Sequence, residues 1–422
     1  MYVGGCEWMS VKVQYYTAKP NISEKGPFSF RMIERKKDLK FSDDDNTVYY
    51  KSSKQYFYEP NISYPYYDNS ELIIPNIITL GAITYMIQEK ECGSACRLII
   101  DIGLRLTGEY PFRRIRPLDI ILHGYDDPLL SFINSPLYKY LCDTFNNGKS
   151  IIPFKFPQFN NSNDEDYVIE TGKKDINLIG AIRNWAGSDH LPISWWQTME
   201  ARMINGTDTG SFASPHLTPA TILPFFNSFL CRSFTAVFSK QSTYKGIKSV
   251  EFVVREEEFD TVSNKYIGFR YRNLEKVKYF PEWNPCSKMM RNTSCSNASI
   301  NCLLKENLCH NCCQGRYVDG TYLLPPGMFP LVCFPGKNET LPLSAIISPP
   351  YFSYSPEEVI DSMIGLPRLS VKPSTFTFVR EPLTGSLMQF DIQLMISFPM
   401  FQTNQSMLTN SNSWYPITIL TI

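Results

Sequence analysis

Apolar and polar residues alternate near both ends of the chain. Phe390, Ile392, Leu394 and Ile396 take turns with Asp391, Gln393, Met395 and Ser397, the period-two pattern of a half-buried strand. Val11-Lys12-Val13-Gln14-Tyr15 alternates in the same way. Residues 28–33, 47–50, 234–238, 250–254, 265–272 and 375–380 share that character, and joints bearing Ser, Asn, Gly and Pro separate them. Between residues 76 and 145 the pattern lengthens. Residues 77–90 are apolar and end in charge, which predicts a largely buried helix; 96–106 predicts a second; 128–142 predicts a third, broken by Pro136. Thr218-Pro219 has the form of a helix start, with Thr as cap and Pro in the first turn. The polar stretch 160–166 reads as a loop. The expected architecture is α+β and mainly β: a β framework carrying a helical insertion at 76–145.

Composition adds the compartment. Seven of the twelve cysteines fall in one stretch of 48 residues: Cys286, Cys295, Cys302, Cys309, Cys312, Cys313 and Cys333. N-glycosylation sequons interleave with them at Asn292 and Asn297, and others stand at Asn21, Asn61, Asn160, Asn205, Asn338 and Asn404. That is about twice the number chance would give. Glycan acceptors among cysteines point to an oxidising, secretory environment. Segment 286–340 is therefore expected to be disulfide-rich, with Cys231 as a further candidate. Spacing does not give the connectivity. Cys309-His310-Asn311-Cys312-Cys313 contains zinc-ligand chemistry, but no second CxxC of matching spacing completes a site.

Charge excludes more than it identifies. Lys plus Arg equals Asp plus Glu at 41 each, so no basic excess argues for nucleic acid. Residues 1–10 lack the basic and apolar regions of a signal peptide. The most apolar run, 72–87, is too short for a membrane span and contains Pro75 and Asn76. No nucleophile elbow, HExxH or phosphate-binding Gly loop occurs, the histidines number four, and no cofactor or metal is implied. Glu256-Glu257-Glu258 reads as a solvated run. Arg113-Arg114-Ile115-Arg116 is the one basic cluster, either a solvated strand edge or part of a surface for anionic ligands.

Several short motifs, in order, resemble the class B scavenger receptor family, which includes the fatty-acid translocase, the high-density-lipoprotein receptor and lysosomal integral membrane protein type 2. They are Gly26-Pro27-Phe28-Ser29-Phe30-Arg31, Leu122-His123-Gly124-Tyr125-Asp126-Asp127-Pro128, Ser194-Trp195-Trp196 with Met203-Ile204-Asn205-Gly206-Thr207-Asp208, Cys231-Arg232-Ser233-Phe234, Lys245-Gly246-Ile247 and Pro382-Leu383-Thr384-Gly385. Gly124 and Gly206 stand where turns often need positive φ.

The resemblance implies one ectodomain over 1–422: an irregular antiparallel β-barrel with an apical helical bundle and an internal hydrophobic tunnel. It implies a membrane anchor beyond each end and residence at the plasma membrane or lysosome, with this chain on the extracellular or luminal side. It also implies that lipids or lipoprotein particles are bound, or alternatively that a protein cargo docks on the apical helices. Two apical lysines of the fatty-acid translocase align with Thr107 and Glu109, so they are absent here. Arg105, Arg113, Arg114 and Arg116 are the candidates to replace them.

Overall fold

The structure is a computed structural model and describes residues 2–12, 21–63, 71–88, 94–110, 112–123, 126–145, 162–193, 195–196, 198–260, 266–269, 327–333, 345–355, 357–360, 363–400 and 413–421. The alternating segments form strands. They are β1 (Tyr2–Lys12), β2 (Asn21–Phe41), β3 (Thr47–Tyr58), β4 (Leu72–Pro75), β5 (Phe112–Ile115), β6 (Ser162–Glu170), β7 (Ile182–Trp185) and β8 (Thr207–Asp208). The second half adds β9 (Ile222–Asn227), β10 (Arg232–Tyr244), β11 (Ile247–Val254), β12 (Phe329–Pro330), β13 (Ile346–Ser348), β14 (Phe376–Arg380), β15 (Leu387–Met400) and β16 (Ser413–Thr421).

One sheet takes fourteen of these strands, in the order β7-β6-β3-β2-β1-β16-β15-β14-β11-β10-β9-β8, with β13 on β15 and β12 on β13. Every pairing is antiparallel except β8 with β9. The first and last strands are neighbours, Gly5 lying opposite Thr421 and Trp8 opposite Thr418.

Alternation places one face of each strand in a common core. Phe234 and Ala236 of β10, Phe252 and Val254 of β11, and Phe376 and Phe378 of β14 are buried. Their rings meet: Phe225 lies 5.0 Å from Phe378, 5.3 Å from Phe376 and 5.7 Å from Phe234. Burial of one such ring contributes about 1.5–3 kcal/mol, so this cluster outweighs any single polar contact in the sheet.

The strand ladders among the described residues do not close into a barrel. The two edges nevertheless meet at one point. Ala181 bridges Thr207, and the Ile182 amide donates to the Gly206 carbonyl at 2.8 Å. Gly206 has φ +81°, and a Cβ there would fall 1.9 Å from the Pro224 carbonyl oxygen, so only glycine fits this junction.

Helices α1 (Ile77–Gln88), α2 (Ser94–Thr107), α3 (Pro128–Ile133) and α4 (Pro136–Phe145) follow β3, with β4 and β5 forming a two-stranded ribbon between them. They extend from the Tyr58 end of β3, and α1 packs on β15. We call them the cap. The opposite end of the sheet carries turns. Thr47 pairs with Glu170, which sets loop 171–181 beside the β2–β3 hairpin. Val250 pairs with Arg380, which brings the β10–β11 and β14–β15 hairpins to that same end.

Four local expectations change. Thr218-Pro219 opens a turn and not a helix: the Thr221 amide bonds the Thr218 carbonyl at 3.0 Å, and β9 starts at Ile222. Residues 162–166 belong to β6, because pairing with β3 outweighs their polar composition. Residues 267–269, expected in a strand, form a 3-10 turn. Glu258 is buried, unlike exposed Glu256 and Glu257; its carboxylate accepts from the Tyr266 hydroxyl at 2.8 Å and lies 3.7 Å from the buried Arg232 guanidinium. Of the disulfide candidates, Cys231 and Cys333 are bonded, and both are fully buried. Cys286, Cys295, Cys302, Cys309, Cys312 and Cys313 lie outside the described residues.

Candidate functional site

The cap is built on α2. Ile99, Ile100 and Leu104 face inward, and Gly103 lets α3 approach so closely that a Cβ would meet the Phe132 ring at 2.7 Å. The other face carries Leu98, Ile102 and Leu106 at four-residue spacing, which lines them up along the helix. Leu98 is 48% and Leu106 62% exposed, as are Tyr110 at 59% and, on the adjoining α4, Leu137 at 47% and Tyr140 at 64%. Singly exposed apolar residues are ordinary; four on the adjoining helices α2 and α4, with Tyr110 just past α2, form a surface with affinity for something apolar. The apolar spacing within 96–106 carried this signal in the sequence, although it did not say which face would be buried.

Three of the four candidate arginines have acidic partners within the chain. Arg105 pairs with Asp101 at 2.9 Å, and Arg116 forks onto Asp119 at 2.7 and 2.9 Å. Arg113 reaches Asp127 at 3.0 Å, Glu109 at 3.5 Å and the Asp126 carbonyl at 3.1 Å. Arg114 is exposed opposite Ile73 of the ribbon and has no acidic partner among the described residues. Arg113 thus joins three elements. Asp127 caps α3 by accepting from the Leu129 and Leu130 amides at 3.0 and 3.1 Å. Glu109 accepts from Asn76, the residue that caps α1, and from Thr79 at 3.2 Å. Burial raises the pKa of both carboxyls, and Arg113 opposes that rise. Thr107 donates to the Gly103 carbonyl at 2.7 Å.

A second polar cluster lies inside the sheet. Asp164 of β6 accepts from Lys54 at 2.8 Å, Ser228 at 2.8 Å and Tyr167 at 3.0 Å. Tyr50, stacked on Tyr167, donates to Asp208 at 3.4 Å, and Lys36 sits 4.3 Å from the Tyr50 ring. Burial, with the charges of Glu34 and Asp164, pushes the Asp208 carboxyl up to about 6. Asp208 ends the Met203–Asp208 motif whose glycine joins the sheet edges. Among the described residues no group of three or more His, Cys, Asp or Glu side chains is placed to hold a metal ion.

The sequon asparagines divide. Asn61 is exposed, Asn205 is half-buried with its amide bonded to Ser233, and Asn21 begins β2. Asn160, Asn292, Asn297, Asn338 and Asn404 lie outside the described residues.

Comparison with known proteins decides the family. The sequence pattern defining the CD36 family matches residues 10–422. The chain belongs to the CD36 family. It is 38% identical to an uncharacterised protein of Caenorhabditis elegans over 408 residues, 94% of this chain and 73% of that one. It is 30% identical to scavenger receptor class B member 1 of Sus scrofa over 240 residues, 56% of this chain and 43% of that receptor. It is 30% identical to lysosome membrane protein 2 of Homo sapiens over 240 residues, again 56% of this chain and 46% of the relative. The match therefore spans less than half of the two named CD36-family relatives. The family is receptor-type. No helix among the described residues is long and apolar enough to cross a membrane.

Proposed function

We propose that this chain is the ligand-binding part of a membrane-associated scavenger-type receptor, on the extracellular or luminal side of the plasma membrane or lysosome. It captures lipid or lipoprotein particles at the cap and passes lipid to the bilayer without making or breaking a bond. The supporting observation is the exposed set Leu98, Leu106, Tyr110, Leu137 and Tyr140. Transfer of acyl chains out of water drives uptake at about 0.8 kcal/mol per methylene. In this reading the sheet closes at the Ala181–Thr207 bridge, and a hydrophobic tunnel runs inside it. Arg114, with the half-exposed Arg105 and Arg116, meets headgroup anions; Arg113 is held by the cap.

The test compares modified-lipoprotein binding by wild type, by Leu98→Ser/Leu106→Ser/Tyr140→Ser, and by Arg105→Gln/Arg114→Gln/Arg116→Gln, at two salt concentrations. The apolar triple is expected to lose most binding at both. The arginine triple loses only the salt-sensitive part. Full binding by the apolar triple overturns the reading. The same apolar set favours a second reading, a protein cargo docked on α2 and α4. A lipid-extraction mass spectrum of the purified chain separates the two, since only the first predicts co-purified lipid.

A further inference from the structure

Residues 365–374 form a strap that crosses the surface between two fixed points and belongs to no strand or helix. At one end the Ile364 carbonyl accepts from the Ile22 amide of β2 at 2.8 Å, and Met363 is buried. At the other, the Tyr354 hydroxyl donates to the Pro373 carbonyl at 3.0 Å, Lys372 pairs with Glu256 at 2.7 Å, and Thr375 is buried just before β14. Leu366 is half-buried against the core and pins the strap near its start. Beyond it Pro367, Arg368 and Ser370 are exposed, as are Leu369 (39%) and Val371 (79%).

The residues in the strap suit a protease. Proline holds φ at about −65°, and it biases the residue before it, here Leu366, to extended backbone. Enzymes of the trypsin class take an exposed chain in extended form and seat an arginine side chain in a pocket with a carboxylate at its base. Pro367-Arg368 is the only Pro-Arg pair in the chain, and no Pro-Lys pair occurs. Lys372 is not a second cutting point, because Pro373 follows it and the proline ring bars that bond. Exposed Lys37 and Lys51 lie opposite each other in paired strands, and Lys139 lies in a helix, so their backbone is already engaged.

We propose that the strap is a processing site for a trypsin-like serine protease that selects Pro-Arg, cut between Arg368 and Leu369. Water is the second reactant: its oxygen joins the Arg368 carbonyl carbon, the C–N bond breaks, and the Leu369 nitrogen takes a proton and leaves as a new amino terminus. Such an enzyme meets the site on the extracellular side proposed above, and the inference rests on that placement. The cut gives a two-piece receptor. Cys333 is the last cysteine, so no disulfide ties residues 369–422 to the rest. The sheet holds them instead, through β14 on β11, β15 on β13 and β16 on β1, with Phe376, Phe378, Leu394 and Met395 buried. A covalent link between these strands and the body thereby becomes a reversible one.

Thrombin, a serine protease that selects Pro-Arg, is the probe, added to the purified chain in native buffer. One cut is expected, with a small fragment whose sequence starts Leu369-Ser370-Val371-Lys372. The two fragments co-elute on size exclusion and separate on a denaturing gel run without reductant. The urea midpoint of the cut protein falls on dilution, while that of the intact protein does not. Arg368→Gln abolishes the cut. So does Leu369→Pro, which keeps the arginine and bars only the bond. Cutting of the urea-denatured chain but not of the native one overturns the proposal. So does a first cut elsewhere, or a cut at Arg368 that quickens with urea in step with global unfolding. Fragments that part at once in native buffer overturn the two-piece form. Because the enzyme is added to the purified chain, failure of the proposed placement leaves this result standing, and the two ideas fail separately.

Discussion

Arg113→Ala measures how the cap is held. The Asp127 side chain is fully buried and that of Glu109 nearly so, at 6%, while Arg113 is 28% exposed. At 3.0 Å and an effective dielectric of about 20, the Arg113–Asp127 attraction is about 5 kcal/mol before the cost of desolvation. Removing the guanidinium leaves two carboxylates buried without a cation. After screening on the exposed side, the expected loss is about 2–4 kcal/mol. Arg113→Lys keeps the charge but not the fork, and should cost about 1 kcal/mol.

The loss has a pH signature. Without Arg113 both carboxyls have folded-state pKa values further above their unfolded ones. Their contribution is then present at low pH and lost as pH rises through those values, so the variant is weaker at pH 7 than at pH 5. Urea unfolding at both pH values gives the magnitude, and hydrogen exchange over 94–145 gives the location. A loss under about 0.5 kcal/mol, unchanged exchange in the cap and weaker binding of anionic vesicles would together refute the argument and return Arg113 to the ligand.

Asp208→Asn should flatten part of the stability–pH curve. Its carboxyl, pushed up to about 6, favours the folded state below the unfolded value near 4, and that advantage is lost between about pH 4 and 6. Two units correspond to about 3 kcal/mol, and an unchanged slope in urea titrations would sink the assignment. Gly206→Ala should cost at least about 3 kcal/mol in chemical denaturation, because the new Cβ meets backbone at 1.9 Å; a loss below about 1 would show that the edge junction yields. Cys231→Ala/Cys333→Ala opens a loop of 102 residues and should cost about 4 kcal/mol, or nearer 3 if other bridges already shorten that loop. Thiol titration before denaturation checks that no other cysteine is released.

The helices were legible because their signals are local. The apolar run became α1, and Pro136 divided α3 from α4 as expected. The alternation at 390–397 became β15, and Gly206 took the positive φ its motif suggested. What failed depends on partners far away in sequence. A run of three glutamates looks solvated until Arg232, 26 residues before Glu258, is folded against it. Residues 162–166 look like a loop until Lys54 meets Asp164 from 110 residues away. The partner of Arg113 was hidden in the same way, since Asp127 meets it from 14 residues away. The outward face of α2 needed α3 in place before its apolar residues were distinguishable from core.

The pairing of β1 with β16 governs when the sheet can be completed. Synthesis delivers β1 well before β16, so its outer edge waits for residues 413–421. Until then β1 and β15 both display unpaired backbone groups, the kind of edge that recruits other chains. β16 is therefore a checkpoint for the sheet: its arrival covers both edges at once. A chain ending at residue 400 would keep most of its core residues and still be sticky. The surveillance that holds back aggregating proteins would sort it from a chain that carries β16 by two open edges rather than by a missing site.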